Sequence, residues 1–207
     1  MEKLLTQIKK LQKGPIKDKI NKRISEFKDI DKNSSNELYS ELCFCILTAN
    51  FNAEKTIKIQ NKIGEKFCDL NQEKLSEQLK KLGHRYPNAR AKYISESKKC
   101  KDSLINITSK LNKEDLREWL VKNVKGLGYK ESSHFLRNIG FDDYAIIDFH
   151  IIDLLVRHKI IKKPKTISKK IYLETEKKLK EIAENTDLTL AELDLYLWYM
   201  ETGKILK

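Results

Sequence analysis

The chain has 207 residues, and 40% of them are hydrophobic, which suffices for a buried core and excludes disorder throughout the chain. Its 42 Lys and Arg residues outnumber its 30 Asp and Glu residues, and the formal net charge of +12 favours a polyanionic partner, nucleic acid or an acidic membrane. Genome bias or heat adaptation would also produce a lysine-rich chain. The sequence contains no apolar run of 18 residues, which excludes a membrane-spanning helix.

Apolar residues recur at helical spacing along the chain and predict an all-α protein with about nine or ten helices. The segment YAII, at 144–147, is the one place where a short alternation suggests a strand. Asn112 and Asp148 are suitable N-cap residues for the helices that follow them. In chain order, the segments predicted to be helical are 4–12, 36–49, 53–68, 71–83, 86–107, 112–124, 129–140, 148–161, 167–186 and 189–203.

The four cysteines indicate reduced, mostly buried thiols in a cytoplasmic protein. Their spacing contains no CxxC pair and fits neither a zinc site nor an iron–sulfur cluster. No signal peptide is recognisable, because charged residues alternate with Leu at the start. We therefore expect no zinc or iron–sulfur site at these cysteines and a cytoplasmic location. The cysteines are Cys43, Cys45, Cys68 and Cys100.

A glycine-containing turn joins two predicted amphipathic helices at Val124–Tyr129, where the linking sequence is Lys-Gly-Leu-Gly. The two glycines, Gly126 and Gly128, permit positive φ angles and let the backbone approach another molecule closely. The N–H groups of the turn and of the following helix N-terminus then form an array that binds an anion, and a DNA phosphate is the natural one. A simple helix-turn-helix would explain the same glycines.

Two ionisable residues that follow this turn are candidate catalytic residues. Lys130 lies in the first turn of the second helix, and Asp148 lies 18 residues later at the start of the next helix. If the two helix N-termini face one cleft, a partly neutral lysine can act as an amine nucleophile and the carboxylate can relay its proton. The alternative is an ordinary surface lysine and an aspartate that only caps its helix.

The pattern KGLGYK, then 17 residues, then DFH resembles the helix-hairpin-helix DNA glycosylases. The segments CILTANFNAEKT (45–56) and RAKYI (90–94) extend this resemblance, which covers about residues 38–155. No cysteine follows Cys100, whereas the iron–sulfur members of the family have cysteines near the C-terminus. Together with the short tail LDLYLWYMETGKILK, this resembles the archaeal-type 8-oxoguanine DNA glycosylase/AP lyase branch.

The resemblance assigns roles to five residues around the hairpin. Gly126 and Gly128 match the hairpin glycines. Lys130 matches the lysine that forms a Schiff base, and Asp148 matches the catalytic aspartate. His150 matches a histidine that sits by a DNA phosphate; a plain helix-face histidine is the alternative.

Further residues are expected at the DNA and at the base pocket. Asn50 and Asn52 match polar residues that point towards the orphaned partner base, although both also suit a loop turn. By the resemblance of the tail, Trp198 is a candidate for stacking on the flipped purine, and Lys207 is a candidate for hydrogen bonding to it. His134 lies four residues after Lys130 on the same helical face and is expected to line the pocket. A core or inter-helix aromatic is the alternative for Trp198, and a plain helix-face histidine is the alternative for His134.

The resemblance implies a two-lobed helix-hairpin-helix DNA glycosylase fold, with the active site in the cleft between the lobes. We expect a six-helix lobe over 33–136 and a second lobe from 1–32 plus 137–207. The implied function is base-excision repair of 8-oxoguanine through a lysine Schiff base, followed by β-elimination at the abasic site. The implied protein is a nucleoid-associated monomer that binds double-stranded DNA, without a membrane partner or an iron–sulfur cluster. The implied reaction needs no metal ion and no cofactor. A different oxidised base as substrate, or a non-catalytic helix-hairpin-helix DNA-binding protein, are the alternatives.

Overall fold

The computed structural model describes residues 1–207, the side chain of Glu65 excepted, and in this described part the secondary structure is entirely helical. The all-α class predicted from the sequence is therefore confirmed. Two short 3₁₀ helices, Gly64–Phe67 and Lys98–Cys100, accompany the α-helices. The α-helices are α1 (Glu2–Leu11), α2 (Ile16–Lys28), α3 (Ser35–Thr48), α4 (Ala53–Ile63), α5 (Gln72–Lys81), α6 (Pro87–Ser97), α7 (Ser103–Lys110), α8 (Lys113–Asn123), α9 (Tyr129–Asn138), α10 (Phe149–Arg157), α11 (Lys169–Glu184) and α12 (Leu190–Thr202).

The chain divides into two compact units. The central unit is Ile30–Phe135, and the terminal unit combines Met1–Asp29 with Leu136–Lys207. Among the described residues, no helix combines the length and the apolar character that crossing a membrane requires.

The core of the central unit is built around α3. The Ser34 side chain accepts a hydrogen bond from the Glu37 N–H at 3.3 Å and so caps the start of this helix. From Leu38 to Thr48 nearly every residue of α3 is buried, as expected for a helix that is apolar on most sides. The Tyr39 hydroxyl donates to the Ile94 carbonyl at 2.6 Å and joins α3 to α6.

One element predicted for the central unit was wrong. The sequence predicts one helix over 86–107, but α6 ends at Ser97 and a 3₁₀ helix separates it from α7. The Ser97 hydroxyl donates to the Ile94 carbonyl at 2.8 Å within the last turn of α6. Such bonds compete with the helical hydrogen-bond ladder and favour a break.

The terminal unit contains a helix that the sequence analysis missed. Helix α2 buries Ile16, Ile20, Ile24 and Phe27 against α12, where Tyr196 is part of the same apolar cluster. These residues recur at spacings of three and four, but the charged residues between them lower the overall hydropathy of the segment. Burial against α12 therefore stabilises a helix whose own sequence signal is weak.

The short alternation at 144–147, the one place where the sequence suggested a strand, forms no strand in the structure, although the segment is buried. Its backbone groups bind to side chains of α11 instead of a second strand. The Ala145 N–H donates to Glu176 Oε1 at 3.0 Å, and the Tyr172 hydroxyl donates to the Ala145 carbonyl at 2.6 Å. These bonds satisfy backbone groups of a buried segment that directly precedes Asp148.

Candidate active site

The turn between α8 and α9 needs a glycine at position 126 for two reasons. Gly126 has φ +93°, and a Cβ built there would lie 2.6 Å from Cδ2 of Tyr93 on α6. The glycine therefore permits both the left-handed conformation and the packing of an aromatic ring on the turn. Leu127, between the two glycines, is buried.

Charged and polar side chains hold α8 and α9 together beside this turn. The buried Arg117 donates to Ser133 Oγ at 3.3 Å, and its guanidinium carbon lies 5.3 Å from the centre of the Tyr129 ring. The Tyr129 hydroxyl binds the Glu118 carboxylate. These residues were not expected from the sequence. The position of Arg117 in the helical pattern is the same as that of an exposed charged residue, so the pattern does not show that Arg117 is buried.

Lys130 occupies the second position of α9, and its side chain is 27% exposed. The Lys130 Nζ lies 3.9 Å from Oε1 of Glu131, and Oε2 of the same carboxylate accepts a hydrogen bond from the Gly128 N–H at 3.2 Å. Glu131 was not expected at the site from the sequence. The Glu of a capping box follows a Ser or Thr by three residues, and here Gly128 occupies that position, so only half of the pattern is present.

His134 lies one turn after Lys130 on α9 and is buried. Its ring packs edge to face on the ring of Phe44 from α3, with the centroids 5.7 Å apart. This contact places His134 in the central unit, and its role at a base pocket stays a prediction.

Asn50 and Asn52 lie in the loop between α3 and α4. Asn50 is exposed and has φ +56°, a left-handed conformation that Asn adopts more readily than most residues. The Asn52 side chain accepts from the Lys55 N–H at 3.0 Å and caps α4. Asn52 therefore has a structural role at the loop, and DNA contact by either residue stays a prediction.

Two buried side chains that the sequence analysis did not assign hold this loop. His84 Nε2 donates to the Leu47 carbonyl at 3.0 Å, while His84 Nδ1 accepts from the Tyr86 N–H at 3.0 Å. Arg90 donates to the Ala49 carbonyl at 2.5 Å. Burial lowers the pKa of His84 below its ordinary value; the hydrogen bond to Leu47 raises it, and the Arg90 charge lowers it further. The neutral imidazole is the form that these bonds require.

In the terminal unit, Asp148 caps α10. Its Oδ1 accepts from the Ile151 N–H at 3.0 Å, and the residue is half-buried. The cap uses one carboxylate oxygen, so the charge and the second oxygen remain for another partner. The two residues that follow, Phe149 and His150, are both exposed.

The structure brings together two residues that the sequence analysis assigned to different tasks. The rings of His150 and Trp198 pack edge to face, with centroids 5.5 Å apart and planes at 86°. The indole N–H of Trp198 is buried, and among the described residues it has no hydrogen-bond acceptor. Lys207, at the end of the tail after α12, is half-buried. Base stacking by Trp198 and hydrogen bonding by Lys207 stay predictions.

In the described part of the chain, no group of three or more His, Cys, Asp or Glu side chains is placed to hold a metal ion. In the same described part, Cys43, Cys45, Cys68 and Cys100 form no disulfide bond.

An all-α chain in which a glycine hairpin leads into Lys130, and in which an aspartate caps the next helix, has the helix-hairpin-helix DNA glycosylase fold. The family model Ogg-HhH, described as 8-oxoguanine DNA glycosylase, matches residues 20–188, and the chain belongs to this family.

Relatives resemble the chain over its full length. The 8-oxoguanine DNA glycosylase/AP lyase of Methanocaldococcus jannaschii is 51% identical over 99% of both chains, and that of Korarchaeum cryptofilum is 48% identical over 100% of this chain and 99% of its own. A crystal structure of the M. jannaschii 8-oxoguanine glycosylase/lyase, in complex with a 15mer DNA containing 8-oxoguanine, superposes with a TM-score of 0.95. It is 50% identical and covers 99% of each chain.

Proposed function

We propose that this chain is an 8-oxoguanine DNA glycosylase/AP lyase. It removes 8-oxoguanine from DNA through a lysine Schiff base and then cleaves the abasic strand by β-elimination. The observation that carries the proposal is the partly exposed Lys130 in the first turn of α9, directly after the glycine hairpin. A non-catalytic DNA-binding hairpin would have no use for a nucleophile there.

The proposed partner is double-stranded DNA that contains oxidised guanine. The M. jannaschii structure at TM-score 0.95 contains a 15mer DNA with 8-oxoguanine, and the net charge of +12 suits a polyanion. In this proposal, Gly126, Gly128 and His150 bind backbone phosphates, and Asn50 and Asn52 contact the opposite strand. The phosphate contacts position the duplex without reading its sequence. The protein acts as a monomer in the nucleoid, and it needs no metal, cofactor or iron–sulfur cluster.

The damaged nucleotide is flipped out of the stack, because a base inside a duplex cannot be reached. The neutral amine of Lys130 attacks C1′ of the deoxyribose, and the glycosidic bond breaks with its electron pair leaving on the base. The nitrogen then loses a proton, and the ring oxygen O4′ gains one as the C1′–O4′ bond breaks. The sugar ring opens, and the nitrogen lone pair forms the C=N bond of a protonated imine. Loss of the C2′ proton expels the 3′ phosphate by β-elimination.

Asp148 is proposed to assist this reaction through its charge. Its carboxylate stabilises the positive charge that develops on the sugar and accepts a proton from the lysine nitrogen. The cap at Ile151 engages only Oδ1, so the helix holds the carboxylate in place while it acts. Trp198 is proposed to stack on the flipped base, Lys207 to bind it and His134 to line its pocket.

Borohydride trapping on a duplex with 8-oxoguanine tests the nucleophile. The wild-type chain is expected to form a covalent adduct, and Lys130→Gln is expected to form none. Lys110→Gln, at an exposed position of α7, is the matched control and should trap normally. An adduct that persists in Lys130→Gln would rule out this nucleophile.

A panel of lesion duplexes in one cleavage assay tests the substrate. We expect cleavage at 8-oxoguanine and little cleavage at thymine glycol or at undamaged guanine. Cleavage of thymine glycol without cleavage of 8-oxoguanine would contradict the substrate. Binding of every duplex without cleavage of any would favour a non-catalytic DNA-binding protein.

A further inference from the structure

We propose that Glu131 is a positioning residue that fixes the Lys130 amine relative to the hairpin backbone. This inference rests on the proposed function, because it assigns a task to Glu131 only if Lys130 is the nucleophile.

One carboxylate joins the hairpin to the lysine. Oε2 of Glu131 accepts a hydrogen bond from the Gly128 N–H at 3.2 Å, and Oε1 lies 3.9 Å from Lys130 Nζ. The side chains of Glu131 and Lys130 are 18% and 27% exposed, so the surrounding protein limits the positions available to both. The Glu131 carboxylate therefore connects the Lys130 amine, through one oxygen, to the Gly128 backbone N–H, through the other.

The bond to Gly128 anchors the carboxylate at the start of α9. The first N–H groups of a helix lack partners within the helix, and a Glu at its third position commonly binds the N-cap N–H. Glu131 makes this half of a capping box, with a glycine in place of the usual Ser or Thr. Its carboxylate is consequently held by the backbone and does not depend on the lysine for its position.

Gly128 leaves room for this arrangement. A Cβ added at position 128 would lie 3.3 Å from Oε2 of Glu131, closer than an ordinary van der Waals contact. The glycine was expected from the sequence to let the backbone approach DNA. Its lack of a side chain also lets the Glu131 carboxylate reach the N–H of the turn.

The ion pair positions the ammonium form of Lys130 before it loses the proton and attacks, and it acts on this position more than on folding stability. Neighbouring residues of a helix do not face each other, so the Lys130 side chain must bend to approach Glu131. Ion pairs between partly exposed groups add little to folding stability. Restricting a long, flexible lysine side chain nevertheless favours the attacking geometry, and a small displacement of a nucleophile lowers a reaction rate strongly.

Two variants of Glu131 separate the two bonds. Glu131→Gln keeps a neutral oxygen that accepts from the Gly128 N–H, but it removes the charge that attracts Lys130. Glu131→Ala removes both interactions. Glu181→Gln is the matched control, because it removes the charge of a Lys–Glu pair, Lys178–Glu181 at 2.9 Å, on the surface of α11.

The measurement is single-turnover borohydride trapping on the 8-oxoguanine duplex over a range of enzyme concentrations, with Tm measured for each variant. In Glu131→Gln we expect the maximal rate constant to fall about tenfold, while the half-saturating enzyme concentration and Tm stay unchanged. Glu131→Ala should show the same loss of rate together with a lower Tm. Glu181→Gln should match the wild type.

A wild-type maximal rate in Glu131→Gln, or a faster one, would overturn the positioning role and leave Glu131 as a helix cap only. Tighter binding with a steeper salt dependence would also overturn it, because it would show that the carboxylate competes with a DNA phosphate. If the wild-type chain itself forms no adduct, the proposed function fails and the role of Glu131 fails with it. An adduct in the wild type with no effect in Glu131→Gln rejects the positioning role alone.

Discussion

The imidazole of His150 and the indole of Trp198 pack edge to face, with ring centroids 5.5 Å apart. His150 lies in the first turn of α10 beside Asp148, and Trp198 lies near the end of α12. The contact therefore links the proposed phosphate ligand to the proposed base-stacking residue. Displacement of one ring is expected to affect the other.

The energy of this ring pair can be measured by a double-mutant cycle with His150→Leu and Trp198→Leu. Aromatic pairs of this geometry contribute about 0.5–1.5 kcal/mol beyond the burial of their area. We expect a coupling free energy of about 0.5–1 kcal/mol from urea unfolding of the four proteins. Additive effects of the two substitutions would show that the rings are neighbours without a specific interaction.

Gly126→Ala is expected to destabilise the central unit because it strains the backbone and displaces the Tyr93 ring. A residue other than glycine at φ +93° costs about 1–2 kcal/mol, and the 2.6 Å approach to Tyr93 adds a packing penalty of about 1–3 kcal/mol. Gly203→Ala is the matched control, since Gly203 has φ +70° and no atom within 4 Å of an added Cβ. Equal losses of unfolding free energy in both variants would exclude the packing penalty.

We expect the free energy of unfolding to decrease as the pH falls, because His84 becomes protonated. Its pKa is lowered in the folded protein, so the unfolded chain takes up the proton first as the pH falls. The contribution of the neutral imidazole is complete above pH 6.5, the ordinary pKa of histidine, and is lost as the pH falls through the lower folded pKa. Protonation would place a hydrogen on Nδ1, where it opposes the Tyr86 N–H.

Urea unfolding as a function of pH tests this prediction with His84→Phe, which lacks the titrating group. The pH dependence of stability below about 6.5 should be smaller in this variant than in the wild type. His158→Gln is the control, because burial and the Arg157 charge also lower the pKa of His158. If the decrease is lost in His158→Gln and kept in His84→Phe, the assignment to His84 is wrong.

The variant Asp148→Asn is expected to separate the helix-capping role of Asp148 from its proposed role in the reaction. The Asn side chain can accept from the Ile151 N–H as Asp148 does, so Tm should change little. Loss of the charge should lower the rate of adduct formation by about a hundredfold or more. Ser168→Ala is the complementary control: it removes the cap of α11, where Ser168 accepts from the Ile171 N–H, and should lower Tm without changing the trapping rate.

Local features of the site were predictable because their physical causes lie within a few residues. Asn112 and Asp148 cap the helices that follow them, since each side chain binds an N–H three residues ahead. The hairpin is equally local, because its glycines, its buried Leu127 and the start of α9 lie within one short segment. Glu131 was missed although its capping bond is just as local.

The sequence by itself determined the all-α class, most of the helices, the hairpin and the candidate pair Lys130 and Asp148. Periodicity and capping depend on neighbouring residues and can be read in order along the chain. The tertiary structure decided which surfaces meet: Tyr93 against Gly126, His84 between Leu47 and Tyr86, and α2 against α12. These contacts join residues far apart in the chain, and their energies arise only once packing has brought the side chains together.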